Sequence, residues 1–298
     1  MCSSDLWEVD PGHNDMGQVK NVVLEELADF AKLKIPDASD PRRYHGWEEI
    51  LARAEREQKY VVVCNGPYVF ERAHFLRGFE NLLIDILAEP ELTRQFLTRL
   101  ARYHLETIAY IEKHFPGRIH GYRGTDDWGT QSGPIIAPEV FAALFKPLYQ
   151  EIFGRIRGAG MDVWLHSCGQ ILDILPHLIE AGVQVVNLMQ PNVFPIPRLA
   201  AWRGKVCFEV CADAQTTLPK GDSAAVAHEV QALLDACCAR NGGLIEVQLD
   251  RMYFEGDGVR REMGTVCHAE YRRRDPFRSR RVRPDRVPGR NRRRRCGS

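Results

Sequence analysis

Four side chains able to do chemistry stand at the ends of short apolar runs: His166 and Cys168 in MDVWLHSCGQ, Asp127 in RGTDDWG, and Glu209 in KVCFEV. On a strand, side chains two apart share a face. Trp164, His166 and Cys168 therefore project to one side, and Gly169 breaks the run just beyond them. A thiol attacks an electrophile or binds a metal only as the thiolate. The competing reading is a small buried cysteine, a common core residue, beside a histidine bonded to a neighbouring strand.

The adjacent carboxylates of Asp126 and Asp127, next to the Trp128 indole, suit a cationic or hydrogen-bond-donating substrate. If burial raises one pKa they also suit general acid–base work. Neighbours on a strand point opposite ways, so one of the two is expected to face a cleft; a turn cap is the alternative. Cys207, Glu209 and Cys211 share parity, and a glutamate in an apolar strand is costly unless paired. Asp213 follows as a second acid or a turn cap. Gln190 before Pro191 is expected as a cleft hydrogen-bonding group or only a strand terminator, and Tyr68 and Arg72 after the Gly66-Pro67 turn either line an opening or, equally well, lie on the exposed surface. His166, Cys168, Asp127 and Glu209 are thus expected to do chemistry. Tyr68, Arg72, Asp126, Trp128, Gln190 and Asp213 are expected to contact substrate.

The elements that must position them alternate. Strands are expected at 60–64, 118–122, 161–168, 183–189, 205–210 and 243–249. Helices are expected at 73–88, 91–114, from Pro138 to about 158, at 171–180, 196–202 and 223–239. About six strand–helix units with nearly continuous apolar strands signal a parallel sheet covered by helices. Parallel sheets of this kind keep their chemistry at the strands' carboxyl ends. Neither a GxGxxG fingerprint nor a Walker lysine loop follows any strand, which favours a (β/α) barrel over a nucleotide-binding doubly wound sheet. Ahead of these units, residues 1–58 form a lead-in with a hairpin pattern near the start and helical periods at 22–33 and 47–57.

The totals fit one large α/β domain, cytoplasmic by default. The chain has 298 residues, 44% of them apolar, and nine cysteines with no CxxC pair among them. That excludes a zinc ribbon and gives no disulfide framework. No apolar run reaches membrane-span length. The net charge of zero divides unevenly: 13 Arg and two Asp fall within 272–298, leaving 27 − 38 = −11 on residues 1–271. The division expected is a lead-in at 1–58, a barrel at 59–276 and a disordered Arg-rich tail at 277–298. The tail neutralises phosphates in principle, but it lacks stacking aromatics beyond Phe277. It reads as foreign to the body, not as a nucleic-acid arm.

Three stretches, DDWGTQSGPIIAPEVFAALFKPLYQEIF, GMDVWLHSCGQILDILPHLIEAGVQVVNLMQP and GKVCFEVCADAQTTLPKGD, resemble the uroporphyrinogen decarboxylase superfamily. That superfamily includes zinc-dependent methyltransferases acting on corrinoid proteins. The resemblance implies a (β/α)8 barrel, here short of its first one or two strands, with a cleft at the strands' carboxyl ends. It implies methyl transfer or tetrapyrrole-linked chemistry, zinc held by His166 and Cys168, and a corrinoid or tetrapyrrole as substrate or partner group. The family's third zinc ligand, a cysteine, aligns near Asp250–Arg251, leaving Cys211, Glu209, Asp213 or Asp250 to complete the set. The decarboxylases' essential Asp and Arg-rich segment align before Met1, their tyrosine aligns near Ala73, and their late Gly-His-Gly is Gly256-Asp257-Gly258 here. Porphyrinogen decarboxylation is therefore the second choice and a non-catalytic barrel the third. A barrel short of strands exposes an unpaired sheet edge, so aggregation, or pairing through that edge as in a homodimer, is expected.

Overall fold

The structure is a computed structural model, and it describes residues 7–8, 18–19, 21–190, 193–213, 216–239 and 243–246. A further helix that the sequence suggests over 259–273, the Gly256-Asp257-Gly258 turn, Asp250 and the Arg-rich segment lie outside the described residues.

The hairpin pattern near the start is a two-stranded antiparallel ribbon of β1 (Trp7–Glu8) and β2 (Gln18–Val19). A 3-10 helix at Leu27–Lys32 replaces most of the helical period expected at 22–33, and α1 spans Trp47–Arg56. From there the chain alternates. β3 (Val62–Pro67) leads to α2 (Phe70–Arg77), α3 (Phe79–Ala88) and α4 (Pro90–His114). β4 (Gly121–Thr125) leads to α5 (Pro138–Val140), which runs through a π turn at Phe141–Phe145 into α6 (Lys146–Gly158). β5 (Asp162–His166) is followed by α7 (Leu175–Ala181), and β6 (Val185–Leu188) by a 3-10 helix at Ile196–Trp202. β7 (Cys207–Val210) precedes α8 (Thr217–Lys220) and α9 (Ser223–Cys237), and β8 (Leu244–Glu246) comes last.

β3 to β8 form one parallel sheet in chain order. This is the α/β architecture of successive (β/α) units that the alternation implies. Among the described residues no ladder joins β8 back to β3, so the barrel is open there. No described helix is long and apolar enough to cross a membrane.

Two differences from the expected boundaries matter. The helix expected over 73–88 is two helices, because Gly78 stands at φ +88° and ends α2, a conformation that costs glycine little. The strand expected at 118–122 runs instead from Gly121 to Thr125, in register with Asp162–His166. That shift turns Arg123 from a loop residue into a strand residue.

The sheet sorts side chains by parity. The odd residues of β5 and the even residues of β6, β7 and β4, namely Val163, Leu165, Val186, Phe208 and Tyr122, join the main core under the helices. α4 supplies that core with Phe96, Leu97, Leu100, Ile108 and Ile111, one stripe at helical spacing. Each such burial contributes about 1.5–3 kcal/mol.

The opposite face carries a second cluster of Trp164, Val185 and Cys207, with Val62 from the first strand of the sheet and Ile245 from the last packed against it. The sheet must curl to bring those two together. Two residues further along β4, β5, β6 and β7 the same inner face becomes polar: Arg123, His166, Asn187 and Glu209. The apolar floor thus gives way to a polar layer at the carboxyl ends.

Candidate functional site

His166 is the last residue of β5, and Cys168 stands in the loop just past it. The imidazole Nε2 lies 3.4 Å from Cys168 Sγ and 3.4 Å from Asp127 Oδ1. Asp127 comes from the loop after β4, and its Oδ1 accepts the Cys168 backbone N–H at 2.7 Å. One nitrogen, one sulfur and one carboxylate oxygen fall within 4.8 Å of one another, the only such His/Cys/Asp/Glu group among the described residues. Asp127 is more open than His166, at 37% against 18% side-chain exposure. Burial, reinforced by the Asp127 carboxylate and by Glu71, pushes the Cys168 thiol up to about 12. Left to these neighbours, it stays protonated at neutral pH.

The two loops are pinned by three hydrogen bonds, two of them backbone to backbone. Gly129 N–H donates to Cys168 O at 3.1 Å, Gln170 N–H to Thr130 O at 2.8 Å, and Trp128 N–H to Ser167 Oγ at 3.0 Å. Gly169, at φ +76°, passes so close that a Cβ there would lie 2.2 Å from Gly129 O. Glycine is required at that crossing by space as well as by φ. Gln190 braces the same loop from β6's side, its Oε1 accepting Gly169 N–H at 2.9 Å.

Behind His166 the polar layer is continuous. His166 Nδ1 is 2.5 Å from Asn187 Oδ1, and that oxygen also accepts from Arg123 Nη2 at 3.0 Å. Asn187 Nδ2 donates to the Glu209 backbone carbonyl at 3.0 Å. Arg123 Nη1 reaches both Glu209 oxygens, at 3.0 and 2.9 Å. Glu209 therefore has the partner its strand position demands. The pair spans three interstrand steps, about 14 Å on a flat sheet, so it also measures the curl.

Several expected contacts are corrected. Tyr68, Asp126 and Trp128 are fully buried and do not reach the cleft. Tyr68 fills the space over Gly124, where a Cβ would lie 2.4 Å from its ring, and its hydroxyl donates to Trp164 O at 2.9 Å. Asp126 accepts the Val69 and Glu71 N–H groups at 2.9 and 2.8 Å, tying the start of α2 to β4. Burial raises its pKa to about 6. Trp128 stacks on Phe70 at 4.1 Å and donates to Tyr149 Oη at 3.0 Å; Tyr149 in turn donates to Asp126. Asp213 is buried, and its Oδ1 accepts from Thr216 N and Oγ1 at 2.6 and 2.7 Å, the turn cap that was the alternative reading. Arg72 is exposed beside the Gly66 turn. The group completing the His166–Cys168 pair is Asp127, whereas Cys211 and Glu209 stand outside that cluster.

Three neighbours went unanticipated. Arg123 and Asn187 were hidden, one by a misplaced strand end and the other inside the apolar run VQVVNLM; the pairing of β4 to β7 is what brings both beside His166 and Glu209. Glu71, in the first turn of α2, has its pKa raised by burial to about 7, with Asp126 adding to the effect. Nothing in its local sequence marks it.

Fold and site together define a β/α protein whose reactive groups gather where parallel strands end. A family model described as Uroporphyrinogen decarboxylase (URO-D) matches residues 7–245. The chain belongs to the uroporphyrinogen decarboxylase family. Among solved structures, a methyltransferase from Methanosarcina mazei superimposes with a TM-score of 0.62 at 16% identity, covering 80% of this chain and 68% of that one. The 3-keto-D-glucoside 4-epimerase YcjR from E. coli, in its apo form, reaches a TM-score of 0.42 at 10% identity over 69% of this chain and 78% of that one, and carries no argument here. No curated protein sequence matches.

Proposed function

We propose that this chain is a methyl-transfer enzyme that holds zinc on Asp127, His166 and Cys168 and moves a methyl group from a corrinoid to a thiol. The observation that carries the reading is the convergence of Asp127 Oδ1, His166 Nε2 and Cys168 Sγ. Three protein donors of N, S and O type with an open remaining side match a catalytic zinc site and not a closed structural one. The fold shared with a methyltransferase supports the same class, and so does the sequence resemblance to corrinoid-dependent members of the superfamily.

Bound zinc would supply a positive charge that stabilises thiolate at neutral pH. The chain's own groups do the rest. Asp127 presents its donor from the loop after β4 and His166 from the end of the neighbouring β5, and Cys168 gives up its proton only against such a charge, because its surroundings hold it near 12. The acceptor thiol loses its proton to solvent, its sulfur supplies the electron pair for the new S–CH3 bond, and the corrinoid cobalt keeps the pair of the broken Co–CH3 bond. The Arg123–Glu209 pair and Asn187 fix the wall behind His166.

The test is metal content and zinc titration of the full chain beside His166→Ala and Cys168→Ser, then methyl transfer from methylcobalamin to a thiol. The wild type is expected to bind one zinc and both variants to lose it, with transfer falling at least about 100-fold. A wild type that binds no zinc, or variants that transfer methyl undiminished, overturns the reading. Porphyrinogen decarboxylation by the same preparation would replace it with lyase chemistry.

A further inference from the structure

We infer that Asn187 is a positioning residue whose amide oxygen holds His166 as the Nδ1–H tautomer, leaving the Nε2 lone pair facing Asp127 and Cys168. The purpose of that lone pair rests on the metal-site reading; the tautomer itself does not.

The argument is one of donors and acceptors. Asn187 stands on β6 between His166 on β5 and Glu209 on β7, in direct register with both. An amide can be turned end for end, so its orientation has to be argued from its partners. Here both ends are decided. The Glu209 backbone carbonyl, 3.0 Å from Nδ2, can only accept, and the Arg123 guanidinium, 3.0 Å from Oδ1, can only donate. Flipping the amide would set NH2 against guanidinium and oxygen against carbonyl. The oxygen is therefore the atom that meets His166 Nδ1 at 2.5 Å. It carries no hydrogen, so Nδ1 must. A neutral imidazole has a single N–H, which leaves Nε2 bare on the side where Cys168 Sγ and Asp127 Oδ1 each lie 3.4 Å away.

The line of command runs from Glu209 to Arg123, from Arg123 to Asn187, and from Asn187 to His166. Each link has one possible sense, because Glu209 only accepts from Arg123 and Arg123 only donates. A residue bonded to the far nitrogen of a ligating histidine sets both tautomer and ring orientation, and its loss typically weakens metal binding about 10–100-fold.

The experiment is long-range 1H–15N correlation on the metal-free, 15N-histidine-labelled full chain at about pH 8, with His166 among the ten histidines assigned by its disappearance in His166→Gln. The wild type is expected to show a protonated Nδ1 and a bare Nε2. Asn187→Leu, similar in size but without an acceptor, is expected to shift His166 toward the Nε2–H form and to weaken Co2+ binding about 10–100-fold. Asn187→Asp keeps the oxygen that faces His166 and Arg123 while its second oxygen meets the Glu209 carbonyl, so it is expected to keep the wild-type tautomer and to bind Co2+ more tightly than Asn187→Leu, though less tightly than the wild type. That rescue separates positioning from mere packing. Finding wild-type His166 as the Nε2–H tautomer overturns the inference without recourse to any variant, and so does an Asn187→Leu protein with unchanged His166 shifts. A wild type with the expected tautomer but no Co2+ binding would sink the proposed function and leave this inference standing.

Discussion

Replacing Arg123 with Met should be far more damaging than replacing both members of its ion pair. The Glu209 side chain is 11% exposed and both its oxygens are held by Arg123 Nη1. Without the guanidinium, a carboxylate is left in a closed place with its charge uncompensated. Breaking a buried pair by removing one partner costs about 3–5 kcal/mol. Arg123 itself is 26% exposed, so some water reaches the pair, and the low end, about 3 kcal/mol, is the expectation. The lost bond to Asn187 adds about 1 kcal/mol. Arg123→Met with Glu209→Leu removes both charges and should fall within about 1 kcal/mol of the wild type, since buried pairs replaced by apolar groups are often neutral. Urea melts of the full chain, followed by tryptophan fluorescence and far-UV circular dichroism, give the three free energies. In thermal melts the single variant should lose roughly 8–16 °C. An Arg123→Met penalty under about 1 kcal/mol, or a double variant as unstable as the single, would refute the claim that the pair is electrostatically closed.

Two further outcomes test the frame around the site. Gly169→Ala forces a side chain onto backbone at φ +76° and drives its Cβ to within 2.2 Å of Gly129 O; a loss above about 2 kcal/mol is expected, and a melting temperature within measurement error of wild type would show that the loops can part at little cost. His104 is fully enclosed, its Nε2 facing the carbonyls of Pro67 and Tyr68 at 3.1 and 2.9 Å and its Nδ1 facing the Tyr122 hydroxyl at 2.9 Å. Burial lowers its pKa to about 4, well below the usual histidine value of 6.5. Its folded pKa is depressed, so the unfolded chain binds the proton first; stability from this group is complete above about 6.5 and is lost as pH falls from there to about 4. Histidine NMR should show His104 still neutral at about pH 5.5, and a midpoint near 6.5 would contradict its enclosure.

The alternation of apolar runs made the sheet legible, because parallel strands buried on both faces cannot hide their composition. His166 at the end of β5 was legible for the same reason: a polar residue closing such a run has few places to go but the rim. The rest depended on distances that no local pattern encodes. Tyr68 reads as a rim residue, yet its ring occupies the gap that Gly124 leaves on the adjacent strand. Asp126 and Asp127 read as equivalents. The chain turns one toward α2, where it caps backbone, and the other toward Cys168. Glu209 announced that it needed a partner, but which of 40 basic residues would supply it depended on a strand end misjudged by three positions. Asn187 shows the same limit: an amide within VQVVNLM gains meaning only when β5 and β7 flank it.

The stitching of the β4 and β5 loops has a consequence for how anything enters this mouth. Carboxylate and sulfur come from stretches 41 residues apart in sequence, yet they ride on a single plate joined through Gly129, Thr130, Cys168 and Gln170. Their mutual freedom was surrendered when the chain folded, so an arriving guest need not gather them. Its arrival rate is then governed by the width of the doorway, and its departure by the grip of groups already standing at attention.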